Sequence, residues 1–277
     1  MLNDNVPLIS VVMPSYNSKR YIGKAIESIL NQTFSRFELI IINDCSTDDS
    51  LNIIKYYLTK DKRIRIINNR KRLNIAGSLN KGIRNAKTNL IARMDADDIS
   101  DPDRLSLQYK LLTSSDVMAA VGANIIIMDC NAHETAIRRY PVSSKEMKSC
   151  LFRYSPFAHP VVMFKKHIFE EIGGYNQKYS PTEDLDLWFR MGVKYEFGSV
   201  PETLLRYRVY EKSSSNKSLK NLEKLVFEIR WNALTLYGYR PSVYDIIYNM
   251  GQLLTLYITP TKWRIAIYNL LRNSNVI

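Results

Sequence analysis

The feature that most limits what this chain can fold into is a fourfold alternation of strand and helix within its first hundred residues. "LISVVM" at 8–13 is a short, β-branched apolar run ending at Pro14, the pattern of a buried strand. Tyr21, Ile22, Ala25, Ile29 and Leu30 then recur at helical spacing, with Ser18 placed to cap that helix. "ELIIIN" (38–43), "IRIIN" (64–68) and "LIARMD" (90–95) repeat the strand pattern, and helical stretches over 48–58 and 76–86 separate them. Strict alternation with short connections predicts a parallel sheet wound by helices on its faces.

Ligands of such sheets bind at the carboxyl ends of the strands. Pro14-Ser15-Tyr16-Asn17, Asn43-Asp44 and Asp95-Ala96-Asp97-Asp98 all follow strand ends, so three polar clusters far apart in sequence should converge on one edge. After Pro102 the pattern loosens into a helix near 102–113, a strand over 118–128 and a helix opened by the capping box Ser143-x-x-Glu146. A strand at 160–166, a short helix ending at Gly173-Gly174 and a helix at 181–193 with acids in its first turn follow. From 216 onward the pattern is helical.

A length of 277 residues with 45% apolar content suits one large α/β domain with an appendage. The net charge of +12 is unevenly placed: residues 60–93 hold eleven Lys/Arg against one Asp, and residues 206–277 eleven against four acids. That excess suits solvated faces, phosphate-bearing substrates, nucleic acid or an anionic membrane. Cys45, Cys130 and Cys150 form neither a disulfide framework nor a paired metal site, which points to a reducing cytoplasm. The first apolar run is too short for a secretory signal and no stretch is apolar enough to span a bilayer, so neither is expected.

Against this background the acids of "ARMDADDISDPDRL" (92–105) stand out. Carboxylates after a buried strand suit a hard divalent cation, which one or two of them can hold while substrate phosphates complete the shell. Asp95 and Asp97, one residue apart in an extended segment, would point to the same side. Asp101 is expected to cap the next helix with Pro102 at its first position, and Asp103 and Arg104 to be surface charges; Asp98 receives no role. A second cluster, Glu183-Asp184-x-Asp186, opens a helix, where acids favour the dipole. Its setting beside Leu185, Leu187 and Trp188 also suits a general base.

These segments together resemble a known family. "ISVVMPSYNSKRYIGKAIESILNQTF", "ELIIINDCSTDDS", "NIAGSLNKGIRNAK", "MDADD" and "TEDLDLWFR" are similar, in order and spacing, to the motifs of family 2 glycosyltransferases with the GT-A fold, over residues 8–210. The resemblance implies a Rossmann-like, mostly parallel sheet flanked by helices, with 1–100 as the nucleotide-sugar half, 101–215 as the acceptor half and 216–277 as a helical extension. It implies transfer from a UDP-sugar with inversion, in building bacterial surface polysaccharide, with Mn²⁺ or Mg²⁺ as cofactor. Pro14, Tyr16, Asn17 and Asp44 would line the nucleotide site, with Asn74 and Gly77 nearby. Asp95 would contact the ribose and share the metal with Asp97, and Asp184 would be the base with Glu183 supporting it.

Two departures from the family pattern bear on these roles. Asn43 and Cys45 stand where the family commonly shows Asp and Gly. In "LLRYRVYEKSSS" a histidine that often follows "YR" is replaced by Tyr210, so its duty on the diphosphate or the metal is either missing or passed to Arg208 or Lys212. Arg93 is placed either to approach the diphosphate or to pair within the protein. His159 is expected to be a satisfied structural group with an acceptor-site role as the alternative, and Trp188 a core residue.

In the tail, Leu219, Leu222, Leu225, Val226, Ile229 and Ala233 form one apolar stripe and Val243, Ile246, Ile247, Met250, Leu253 and Leu254 another; Trp263, Ile267, Leu270 and Leu271 follow, flanked by Lys262, Arg264 and Arg272. Basic residues beside Trp and Leu suit an anionic membrane interface; packing on the catalytic domain or on another subunit of a homo-oligomer suits them equally. A peripheral position on the inner face of the plasma membrane fits a lipid-linked saccharide acceptor. Rival classes fare worse. A sugar-nucleotide nucleotidyltransferase needs a Gly-rich basic loop where Pro14-Ser15-Tyr16-Asn17 stands. A nucleic-acid-binding protein needs a recognisable module, which is absent. A catalytically dead binding protein would have lost Asp97 or Asp184, and both are present.

Overall fold

The computed structural model of the protein describes residues 6–209, 219–259 and Trp263. The first hundred residues run β1 (Ile9–Ser15), α1 (Ile22–Leu30), β2 (Phe37–Asn43), α2 (Ser50–Lys60), β3 (Ile64–Asn68), α3 (Asn74–Arg84) and β4 (Leu90–Arg93). All four strands are parallel, in the order β3-β2-β1-β4. Their near-continuous apolar sequences follow from burial on both faces. Val11, Met13, Leu39 and Ile41 meet Ile26, Ile29 and Ile54 of α1 and α2. Val12, Ile40 and Ile42 meet Leu79 and Ile83 of α3. Helix α3 lies so close to the sheet that a Cβ on Gly82 would come within 2.6 Å of both Val12 and Ile42.

The chain continues through β5 (Ile99–Ser100), α4 (Arg104–Leu112), β6 (Met118–Met128), β7 (Glu134–Arg138), α5 (Ser144–Ser149), a 3-10 turn at His159–Val161, β8 (Met163–Lys165) and α6 (Lys166–Glu171). A 3-10 turn at Gln177–Tyr179, α7 (Glu183–Gly192), β9 (Glu196–Arg208), α8 (Leu219–Thr235) and α9 (Val243–Ile258) complete it. The short β8 runs antiparallel to both β4 and β6, so it joins the wound half to a second half in which β6 and β9 run parallel. One sheet, β3-β2-β1-β4-β8-β6-β9-β5 with β7 beside β6, therefore spans the molecule.

The capping box at Ser143 forms as expected, with Glu146 closing it. Ser18, expected to cap α1, does not: the helix starts at Ile22, and the Ser18 hydroxyl donates to the Tyr16 carbonyl while its own carbonyl accepts from the amides of Tyr21 and Ile22. Asp101 is likewise set back from its helix. Its carboxylate accepts the Asp103 amide at 3.1 Å in a tight turn, and α4 begins at Arg104. The 13-residue β9 carries no clean period, because its register against β6 shifts at three points.

Candidate active site

The ends of β1, β2 and β4 and the start of α3 surround a cleft of about 960 Å³. Its walls include Pro14, Tyr16, Asn17, Asp44, Asn74, Asp95 and Asp97, so seven of the residues singled out from sequence meet there. The chain turns sharply around the rim: Asn17, Cys45 and Asn74 all hold φ near +50 to +60°. Asparagine tolerates that left-handed conformation. Cys45, at the position where glycine is expected, occupies it at some cost, its Sγ lying 3.2 Å from the Asn69 carbonyl.

Asp44 is buried and holds the loop before α3 in place. Its two oxygens accept the backbone amides of Leu73 (2.8 Å) and Asn74 (3.0 Å), the Asn69 side chain (2.8 Å) and Arg72 Nε (3.0 Å). Arg72 in turn stacks its guanidinium 3.3 Å above the ring of the half-exposed Tyr16. Sequence reasoning missed Arg72 as an individual residue, although it lies in the basic run at 60–93. Gly77, expected near a nucleotide, is closely packed: a Cβ there would stand 2.9 Å from Leu73 Cβ and 3.3 Å from Oε1 of Gln177, which lines the cleft. Gln177, Ser180 and Pro181 close the cleft from the far half of the chain, and no local pattern marks them.

The acidic turn differs from expectation. Strand β4 ends at Arg93, and residues 96–97 form a turn, so Asp95 and Asp97 come together through chain reversal and not through strand alternation. Asp98 joins them: one oxygen from each of Asp95, Asp97 and Asp98 lies within 4.8 Å of the others. Asp98 is buried; Oδ1 accepts the Arg208 amide at 2.8 Å, and Oδ2 has no hydrogen-bond partner among the described residues. Burial, followed by the neighbouring Asp97 and Asp95, pushes its carboxyl well above the usual range. An all-oxygen set with an orphaned buried oxygen fits a hard divalent cation.

Three arginines support this turn from beneath. Arg93 pairs with Asp95 at 2.6 Å. Arg104, expected on the surface, is fully buried, donating to the Arg93 carbonyl at 2.6 Å and to Gln108 at 3.1 Å. Burial and then the charge of Arg93 lower it to about 9. Arg208, expected on the donor, is also buried: Nε donates to the Asp97 carbonyl at 2.8 Å and Nη1 to the Asp129 carbonyl at 2.9 Å, while its guanidinium lies 4.3 Å from the centre of the Tyr21 ring. It braces the turn and is not among the cleft walls. Tyr210 and Lys212 lie outside the described residues.

Helix α7 begins immediately beyond Pro181, which lines the cleft. Glu183 is buried, and desolvation and then Asp184 raise it to about 7; Asp184 is half-buried, and desolvation raises it too. Asp186 turns away to Arg190 (2.6 Å), which also donates to the carbonyls of Ile172 and Gly174. His159 is satisfied by the Tyr175 hydroxyl at 2.7 Å and lies well below the ordinary histidine range through burial, then Arg93; Trp188 is core.

The sequence model described as glycosyl transferase family 2 matches residues 10–173, more than half of the chain. The chain belongs to glycosyl transferase family 2. This glycosyltransferase is 34% identical over 234 residues to the O-antigen biosynthesis glycosyltransferase WbnJ of Escherichia coli, across 80% of this chain and 88% of that one. Its fold is that of the S. aureus TarS structure with UDP-GlcNAc (TM-score 0.68, 15% identity, 91% of this chain, 73% of that chain). It also matches the mannosyltransferase PcManGT of Pyrobaculum calidifontis with GDP-Man and Mn²⁺ (TM-score 0.60, 15% identity, 97% and 86%). The GT-A architecture expected from the motifs is therefore the observed one.

Proposed function

We propose that this family 2 glycosyltransferase moves a sugar from a UDP-sugar to a saccharide acceptor, with inversion, in the assembly of a bacterial surface polysaccharide. The observation that carries the proposal is the convergence of Tyr16, Asn17, Asp44, Asn74, Asp95 and Asp97 on one cleft whose far wall leads directly into Glu183 and Asp184. UDP-GlcNAc in TarS and the O-antigen role named for WbnJ support the donor and the pathway.

In this reading residues 1–100 are the donor half, 101–215 the acceptor half and 216–277 the extension. Tyr16, Arg72, Asn74 and the Asp44 loop receive the nucleotide, with Pro14 and Asn17 shaping the wall. Asp95 and Asp97, with Asp98 behind them, hold Mn²⁺ or Mg²⁺, which when bound neutralises charge on the leaving diphosphate. Arg93, Arg104 and Arg208 keep the three carboxylates together before the donor arrives. Asp184 accepts the proton of the acceptor hydroxyl, whose oxygen bonds to the anomeric carbon opposite the breaking bond to the diphosphate, as base-assisted attack does in inverting hydrolysis. Burial raises the proton affinity of Asp184, which suits a base, and Glu183 behind it maintains that setting.

The test is UDP release by the full chain across a panel of UDP-sugars, with and without Mn²⁺. Metal-dependent release with at least one of them is expected; absence of both binding and release with every nucleotide-sugar overturns the reading.

A further inference from the structure

Helix α9 is amphipathic with its faces reversed. Its polar residues turn inward: Asp245 pairs with Arg153 at 3.0 Å, Asn249 donates to the Phe152 carbonyl at 2.8 Å, and Asn249 and Gln252 accept from the buried Arg230 of α8 at 2.8 and 3.0 Å. The opposite stripe, Val243, Ile246, Ile247, Met250, Leu253 and Leu254, faces outward, with Ile247 63% and Leu254 64% exposed. Trp231 of α8 and Leu236 just beyond it are exposed as well, at 65% and 69%. Packing on the catalytic domain thus accounts for the polar stripe and leaves the apolar stripe of α9 exposed, which in soluble proteins marks an interaction site.

We propose that the α8–α9 surface seats the enzyme on an anionic bilayer, with α9 lying in the plane of the interface. The only charged side chain of α9 is Asp245, and it is turned inward. The chain beyond α9, residues 259–277, carries Lys262, Arg264 and Arg272 and no acid, and Trp263 is 67% exposed. An exposed apolar stripe with no outward charge, in a chain whose sequence beyond α9 carries cations without acids and whose Trp263 is exposed, is the combination that an anionic interface recognises. A second copy carries the same net charge of +12, so like charge opposes the pairing of two copies where it favours an anionic bilayer. Among the described residues no helix is long and apolar enough to cross a membrane, so α9 lies on it and does not span it.

The same surface is tied to the cleft. Glu228 of α8 binds Lys178 and the Tyr179 hydroxyl, and Asn232 donates to that hydroxyl at 2.8 Å. The turn they grip lies between Gln177 and Ser180, which line the cleft. If the transfer reading above holds, on which this extension rests, the acceptor is a saccharide carried on a lipid and presented from the bilayer alongside this wall.

The test is sedimentation of the full chain with vesicles of phosphatidylcholine alone or mixed with phosphatidylglycerol. Binding to the anionic vesicles alone is expected, released by salt, and lowered roughly tenfold or more by the double substitution Ile247→Glu with Leu254→Glu. Quenching of the exposed tryptophans by bromine-labelled anionic lipid tests the unmodified chain independently of how the variant folds. No sedimentation and no quenching overturns the proposal, as does equal binding to neutral vesicles or undiminished binding by a folded variant. A dimer in solution that the variant converts to monomer, without vesicle binding, overturns it in favour of a second copy. UDP binding measured by calorimetry on both proteins reports on the donor site separately, so failure of either reading is seen without the other.

Discussion

Arg93 Nη1 lies 2.6 Å from Asp95 Oδ2 beneath the floor of the cleft, and the Arg93 side chain is only 3% exposed. It is also a buried counter-charge to Asp98, whereas Asp95 itself is partly open to water. Replacing Arg93 by Met leaves the acidic turn without that charge. We expect Arg93→Met to lose about 3 kcal/mol of stability at neutral pH, the usual order for breaking a buried pair. Urea unfolding checks this, with part of the loss recovered in mild acid as Asp98, whose carboxyl is held well above the usual range by burial, takes up a proton.

Glu183 titrates near 7 in the folded chain, above its ordinary 4.5, because of burial and then Asp184. A raised carboxyl binds more protons folded than unfolded, so its stabilising contribution is present below about pH 4.5 and is lost as pH rises through about 7. Glu183→Gln should therefore raise stability by roughly 2 to 3 kcal/mol at pH 8 and by little near pH 4. Thermal unfolding at the two pH values decides it; an equal shift at both rejects the assignment.

The part of the site that could be read from the sequence is the part written in strand ends. Pro14 lies at the end of one parallel strand, and Tyr16, Asn17, Asp44 and Asp95 follow strands whose boundaries a run of Ile and Val makes plain; the topology brings such ends together without further information. Gln177 and Pro181 reach the cleft through the antiparallel β8 and the turns beyond it, a route set by tertiary packing. Arg104 illustrates a different obstacle. Next to Asp101 and Asp103 it reads as surface charge, yet the carbonyl of Arg93 and the side chain of Gln108 give it buried partners that no local pattern announces.

Asp184 and Asp97 should separate chemistry from binding. Asp184→Asn is expected to lower transfer at least about a hundredfold while leaving UDP affinity close to unchanged, as loss of a general base does. Asp97→Asn should weaken UDP binding in the presence of Mn²⁺ and much less in its absence. Calorimetric titration beside a coupled UDP-release assay measures both; transfer that survives Asp184→Asn shows the base to be another residue.

Cys45 holds φ at +60°, in the region that favours glycine. Cys45→Gly relieves that conformation and should raise stability by about 1 kcal/mol, less whatever the freer unfolded chain takes back. Differential scanning calorimetry checks the sign, and a fall in melting temperature shows that the Sγ contact with Asn69 outweighs the strain.

The grip of Arg208 on the acidic turn also sets an order of assembly. A chain emerging amino-terminus first can lay down β1 to β4 from residues 9–93 alone, as all their pairings with one another lie within that span. The turn at 95–98 is fastened only when β9 has been made, more than a hundred residues later, and brings the Arg208 amide and guanidinium to Asp98 and Asp97. The four-stranded parallel half can thus acquire its shape early, while the acidic turn at its edge is completed only when the chain has been synthesised through β9.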